Sequence, residues 1–464
     1  MRAFLSKLLI LLFLIGLILA PPYFSALADV QRAESDLAAG RALDAVAPLE
    51  RASLFLFWRA DPTARAGRAA FAGRDMPAAA RILSQAESLS AEGWRDLGAA
   101  YVALERYEDS TQALQRGLKI YDDSAILHRQ LALAFNAQGE FESEMDALQN
   151  YLALDNSEAA AHHRLGLLLS IYKPDSAYTE LNAATQRDAA YEPSMQTMVS
   201  ALNLGAIQPD ESRRLVAIGR GLGLISEWQL AGEAFQRASE ADGENAQAWA
   251  WLGEANQHLG QDGGEELARA VRLNPFDASI RALYGLYWKR RDEPQKALAQ
   301  FQWAAAIEQE NPAYQAALAD AFTFAADLPS ALVAYLRAVE FAPNEVTYWR
   351  LLAVFSAQYS YRVTEFGIPA AQKALTFAPD EAASYDLLGW AYLAAELPVT
   401  AELNLIAALE LDEDYAPAHL HLGILYLETN EMEKARSSLL RAQELDPNGA
   451  QGQAAAKLLE LYFP

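Results

Sequence analysis

At 464 residues, 52% of them apolar and with a formal net charge of −24, the chain is long enough for two or three compact domains. It is too acidic for a phosphate backbone, which needs clustered Lys and Arg to displace its counterions, and no such cluster occurs. The absence of cysteine excludes disulfides, thiolate metal centres and thiol nucleophiles together.

The first residues read as an export signal. Arg2 and Lys7 form a positive start, Leu8 to Ala20 is an unbroken apolar run, Pro21-Pro22 breaks it, and Ala26-Leu27-Ala28 offers the small residues a signal peptidase needs. The run is shorter than the roughly 20 residues that span a bilayer as a helix, and extending it to Leu27 takes in both prolines. The expectation is cleavage after Ala28, with retention of residues 1–28 as a single-pass anchor as the alternative. In both cases the remainder is translocated into the cell envelope; the competing reading is a buried first helix of the array.

Helix pairs follow from Asp29. Gly40, Ala45, Leu49 and Ala52 mark the turn and second helix of the first pair, and Ala79, Leu83 and Ala86 a looser one. The next carries Trp94, Leu97, Gly98, Tyr101, Tyr107 and Leu114; residues 125–158 repeat it through His128, Leu131, Ala132, Phe135, Gly139, Phe141 and Leu148. Residues 159 onward do so again, through Leu165, Gly166, Ala177 and Leu181, with one residue missing. Between 191 and 211 the register is lost: Met195, Met198, Val199 and Leu202 suit one unpaired helix, and Asn203, Gly205 and Pro209 a loop. This divides a first sub-array (29–190) from a second (212–449) and is the expected hinge.

The second sub-array restarts at Ser212. Its units are marked by Trp228 and Phe235, by Trp249 and Gly253 (two residues short), by Tyr284 and Gly285, by Leu318 and Tyr335, and by Trp349 and Leu352, this last with two extra residues around Ser360 to Thr364. The clearest repetition comes last. Tyr385, Leu388, Gly389, Tyr392, Ala401, Leu405 and Ala408 recur 34 residues later as His419, Leu422, Gly423, Tyr426, Ala435, Leu439 and Ala442. Each set places three or four residues on one face of a first helix and three on one face of a second. Residues 450–464 supply a capping helix.

The pattern resembles the tetratricopeptide repeat family, whose 34-residue helix-turn-helix unit carries these residue types at these places. The resemblance covers nearly everything after residue 28. It implies an all-α fold, a right-handed superhelical solenoid of about twelve repeats, and partner binding on a concave face lined by the first helix of each unit.

No catalytic set assembles. Gly219, Gly221 and Gly223 alternate within a helix and follow no strand, so they are no phosphate loop. His419 and His421 are two apart and point away from each other. His128 and His162 stand where other units have Trp94, Trp249 and Trp349, so they read as aromatic substitutes. The reading is of a non-enzymatic chain without cofactor or metal.

Two groups of residues fall on the inward places. The first is polar: Arg95, Arg129, Gln130, His163 and Arg164. Some members of the family hold a partner's C-terminal carboxylate with basic and amide side chains on three consecutive repeats. Arg95, Gln130 and Arg164 match three of those places, whereas Ala99 and Ala160 stand at the other two. The competing reading pairs the arginines with neighbouring acids such as Asp96. The second group is apolar: Trp251, Leu283, Leu286, Phe324, Leu351, Leu387, Trp390, Leu420 and Ile424. An amphipathic partner helix is its default occupant and an acyl or lipid chain the second choice; self-burial within the array is the competing reading. The function expected is therefore a protein-interaction scaffold of the cell envelope. The alternative is a carrier that shelters an apolar chain or a lipid-linked intermediate of envelope polysaccharide assembly.

Overall fold

A computed structural model of the protein describes residues 2–56 and 61–464, with side chains described from Ala20 onward. The chain separates into two compact units, Met1–Asp242 and Gly243–Pro464. Each is a run of antiparallel helix hairpins, and no strand occurs among the described residues.

In the first unit the hairpins are α1 (Arg2–Ala38) with α2 (Ala42–Phe55), α3 (Asp61–Ala72) with α4 (Met76–Leu83), α5 (Ala91–Ala103) with α6 (Tyr107–Leu118), α7 (Ala125–Gln138) with α8 (Phe141–Leu154), and α9 (Ala159–Tyr172) with α10 (Pro174–Arg187). A lone helix, α11 (Glu192–Ala206), precedes the hairpin of α12 (Glu211–Leu224) and α13 (Trp228–Ala241). The second unit pairs α14 (Ala246–His258) with α15 (Gly264–Leu273), α16 (Ala278–Arg290) with α17 (Pro294–Ile307), α18 (Pro312–Phe324) with α19 (Leu328–Phe341), and α20 (Val346–Gln358) with α21 (Ile368–Phe377). It continues with α22 (Ala382–Ala394) and α23 (Pro398–Leu411), then α24 (Ala416–Glu428) and α25 (Met432–Leu445), and ends with α26 (Ala450–Tyr462). Twelve hairpins result among the described residues, as the repeat count anticipates.

One turn recurs. Gly40, Arg74, Glu105, Gly139, Ser226, Gly260, Asp292, Ala326, Ser360, Glu396 and Asn430 all have positive φ. The residue after each donates its N–H to the carbonyl five positions earlier, as Asp327 does to Phe322 at 2.9 Å. This left-handed closure satisfies the orphan carbonyls at a helix end and reverses the chain within a few residues. Only the α9–α10 hairpin lacks it. There Lys173, with φ −144°, ends one helix and begins the next, which accounts for the residue missing from that repeat. The two extra residues near Ser360 are also explained: Arg362 is left-handed and Val363–Gly367 form a wide π-type turn before α21.

Across most hairpins a small residue meets a large one. A Cβ on Gly389 would lie 2.6 Å from Leu405 Cγ, and one on Gly423 equally close to Leu439. Ala401, Leu405, Ala408, Ala435, Leu439 and Ala442 are fully buried, so the matched positions of the repeat are its helix crossing.

Three placements differ from the sequence reading. Helix α1 runs through Pro21 and Pro22, against the expectation that the pair breaks it; from Ala20 on, α1 is the first helix of a hairpin, with Ala26 and Ala33 buried. The apolar run Leu8 to Leu19 lies outside the residues whose side chains are described, and among the described residues no helix is long and apolar enough to cross a membrane. Asn203 and Gly205 belong to α11, which buries Met198 and Ala201. Finally, the units part at 242/243, whereas 191–211 lies inside the first, packed against α10 and α12.

Candidate functional site

The first helices present the residues singled out by sequence. In the first unit the arginines already hold carboxylates of their own chain. Arg95 is ion-paired with the buried Asp96, which Arg68 Nε also reaches at 3.2 Å. Arg129 grips Glu158 through Nε and Nη2, at 2.8 and 2.7 Å. Tyr151 donates its hydroxyl to the same carboxylate at 2.8 Å. The Arg129 hydrogen bonds hold the Glu158 carboxyl below the usual range, and burial together with Glu158 pushes the Tyr151 phenol up to about 12. Arg164 makes a two-point contact with Glu144, 2.7 and 2.9 Å, and reaches Glu227 at 3.3 Å. Glu144 is 2% exposed. Gln130 is half-buried on α7. The three arginines thus come with internal carboxylates, as the competing reading has it, and a peptide terminus would have to displace them.

His163 lies at the seam with α11. Its Nε2 is 2.7 Å from Ser194 Oγ and its ring stacks on Tyr191 at 4.5 Å. Burial, with Arg164 beside it, lowers its pKa to about 4.

A different group of side chains explains the histidines. His128 Nε2 donates to the carbonyl of Asp122 (3.2 Å), His162 Nε2 to that of Asn156 (3.1 Å) and His419 Nε2 to that of Glu413 (2.9 Å). Trp249 Nε1 donates likewise to Gly243 (2.9 Å) and Trp349 Nε1 to Pro343 (2.8 Å). Arg281 Nε and Gln315 Nε2 do the same to Pro275 and Gln309, at 3.0 and 2.8 Å. In every case the acceptor is six residues upstream, in the loop from the preceding hairpin. An N–H donor on a long or flat side chain makes this anchor in seven repeats, but the position does not require it: Trp94 Nε1 is buried without a partner, and Tyr385, which matches His419, has no side-chain N–H. A 34-residue hairpin with a left-handed turn, a small–large crossing and this loop anchor decides the architecture. The chain is a tetratricopeptide-repeat array.

Solved structures similar to it include a tetratricopeptide repeat protein from Parabacteroides merdae, 14% identical over 55% of this chain and 99% of that one, with a TM-score of 0.44. Others are the APC/C hetero-tetramer Cut9–Hcn1 (14% identity, 93% and 95% coverage, TM-score 0.38) and yeast Tom70 (14%, 80% and 95%, TM-score 0.32). No family model and no curated protein sequence matches the chain.

The apolar group of the tetratricopeptide first helices lies in the second unit. Leu283, Leu387 and Leu420 are buried, at 8%, 6% and 6% exposure. Trp251, Phe324, Leu351, Trp390 and Ile424 are half-buried, and Leu286 is exposed at 36%. The stripe is therefore largely packed into the array, leaving edges and rings at the surface.

Polar groups that the sequence reading missed are interleaved with it. Glu254, 5% exposed, is held by Arg290 Nη2 and Nη1 at 2.5 and 2.8 Å and approached by His258 at 3.2 Å. Asp386 faces His421 Nδ1 at 2.7 Å, and that ring stacks on Trp390 at 4.9 Å. Their separations of 36 and 35 residues, one repeat plus one or two, were the available signal. Among the described residues no group of three or more potential ligands could hold a metal ion.

Proposed function

We propose that the chain is a non-enzymatic protein-interaction scaffold, exported to the cell envelope, that holds an amphipathic helix of its partner on the first-helix face of the second unit. The observation that carries this reading is the row of partly exposed large apolar side chains there, Trp251, Leu286, Leu351, Trp390 and Ile424. Grooves of this character accept the apolar face of a helix through anchors at helical spacing. A C-terminal peptide is the less favoured ligand, because Arg95, Arg129 and Arg164 are engaged by Asp96, Glu158 and Glu144.

Export rests on Arg2, Lys7 and the apolar run after them. In this reading the N-terminal segment is retained. Ala26 packs with Ala52 and Leu56, all at most 1% exposed, and cleavage after Ala28 would strip that cover from α2. Intact mass of the chain purified from its envelope checks this: a mass beginning at Asp29 excludes retention.

The scaffold itself is tested by crosslinking and affinity capture from that envelope. Wild type is compared with Leu286→Asp/Trp390→Ala and with Arg129→Glu/Arg164→Glu, each first shown to melt normally. A defined protein captured by wild type and lost only with the first variant is the expected result. Its loss only with the arginine variant would move the site to the first unit, and its retention by both would remove it from the first-helix face.

A further inference from the structure

The outer side of α23 presents a feature that the first-helix face does not explain. This helix buries Ala401, Leu405 and Ala408 completely, yet on its other side Val399, Leu403 and Ile406 are 73%, 66% and 40% exposed. The three stand at i, i+4 and i+7, so they form one stripe about 10 Å long. A helix apolar on all sides normally lies wholly inside a protein; this one is covered on one side only.

The repeat does not require the stripe. The hairpin after it places Glu433 and Ser437 where α23 has Val399 and Leu403. The one before it places Glu365 and Gln372 where α23 has Val399 and Ile406. In each flanking repeat two of the three places are therefore polar, the third being Leu440 after and Pro369 before, so the full apolar stripe of three belongs to α23.

The surrounding charge selects the occupant. Residues 396–414 contain six acids and no Lys, Arg or His; Asp414 is paired with Arg441 of α25, and Glu402 is held by Tyr426 with Lys434 nearby. Glu396 stands in the turn just before the stripe, and Glu410, at i+11 from Val399, continues it at the other end. Both are exposed. Glu396 also acts on Glu428, whose carboxyl is raised by burial and by this like charge. A second copy of α23 docking about a two-fold axis would run antiparallel and set Glu396 against Glu410 of its mate, or run parallel and set each against its own copy, with two like charges at each end in both cases. A helix carrying Lys or Arg beyond both ends of a two-turn apolar face meets the stripe without that repulsion and gains complementary charge at both ends.

We propose that the outward face of α23 is a docking surface for an amphipathic partner helix with basic residues at both ends of its apolar face, a site separate from the first-helix face and independent of it.

The test uses the full chain and two fluorescent helix-forming peptides with the same leucine face, one flanked by lysines and the other by glutamates. Binding is read by anisotropy at physiological salt. The lysine-flanked peptide is expected to bind, and roughly tenfold more weakly to Val399→Gln/Leu403→Gln and to Glu396→Lys/Glu410→Lys. These positions are exposed, so an unchanged melting temperature certifies the fold. A Leu286→Asp/Trp390→Ala variant should bind it as wild type does, which separates this site from the first-helix reading. Equal affinity for the Val399→Gln/Leu403→Gln variant, or equal binding of the glutamate-flanked peptide, overturns the proposal. So does a concentration-dependent dimer in sedimentation that this variant abolishes, since the occupant is then a second copy.

Discussion

His163 joins two elements through one ring. Its neutral form is favoured by burial and by the neighbouring Arg164, which puts its pKa at about 4, against 6.5 for an unperturbed imidazole. Between those values the unfolded chain binds a proton that the folded chain does not, so stability rises with pH across this window. The contribution is complete above pH 6.5 and is lost progressively as pH falls towards 4. His163→Gln should therefore flatten the acid side of a melting-temperature profile relative to wild type, with both proteins still sharing the general carboxylate loss. Parallel profiles would mean that the ring is not titrating in that environment. A second residue-scale prediction concerns Ala326, left-handed at φ 61°. Glycine adopts this conformation without the Cβ penalty, so Ala326→Gly should stabilise by up to about 1 kcal/mol in denaturant unfolding, less the entropy a glycine loses on folding. The same change at Ala325, whose φ is −83°, should not stabilise.

At the scale of the helix pair, the crossing sets the tolerance. Ala435 is fully buried within the cluster that also holds Leu405, Leu422 and Leu425. Ala435→Leu should cost roughly 1 to 3 kcal/mol by overpacking, measured as a drop in the urea midpoint; an unchanged midpoint would mean that α24 and α25 do not meet there. This level of organisation was legible in the sequence because one side chain at each crossing must be small and its neighbour large, and that demand recurs at a fixed interval. Gly389 with Leu405 and Gly423 with Leu439 show it directly. The turns were less legible. Their left-handed residue is Gly at Gly40, Gly139 and Gly260 but Arg, Glu, Ser, Asp, Ala or Asn elsewhere, since the surrounding hydrogen bonds impose a conformation that the residue itself does not announce. Helix α11 was half visible: its apolar residues suggested a helix, but Gly205 lies inside it, buried beside Arg214 and Ile218, and reads in sequence as a loop. The arginines were visible as a basic stripe, and what the sequence left open was the distance from each to an acid. Ion pairs between repeats fall at separations near 31 residues, as in Arg65–Glu34, Arg81–Glu50, Lys289–Asp320 and Arg350–Glu381. In a chain with 61 acids many acids stand at such separations without pairing.

For the chain as a whole, stability should be distributed as a sum over neighbours, because each hairpin is covered chiefly by the hairpins before and after it. The packing of α26 shows what a covering neighbour contributes. Helix α26 is a single helix, and its Ala455 closes a small cluster with Leu420, Leu439 and Ala442. Removing residues 450–464 would uncover Leu439 and Ala442, both otherwise fully buried. The effect should be graded along the chain: amide exchange should speed up most in α24 and α25, less in α22 and α23, and not measurably in α5 to α8, which are many hairpins away in sequence. The global melting transition should also broaden as the C-terminal hairpins begin to open before the rest. A uniform acceleration in every helix would instead mean that the array unfolds as one cooperative body, and then the nearest-neighbour description fails for this chain. A truncation that left α24 and α25 unchanged would place the stability of the last hairpin in its own crossing, Gly423 against Leu439, without need of the cap.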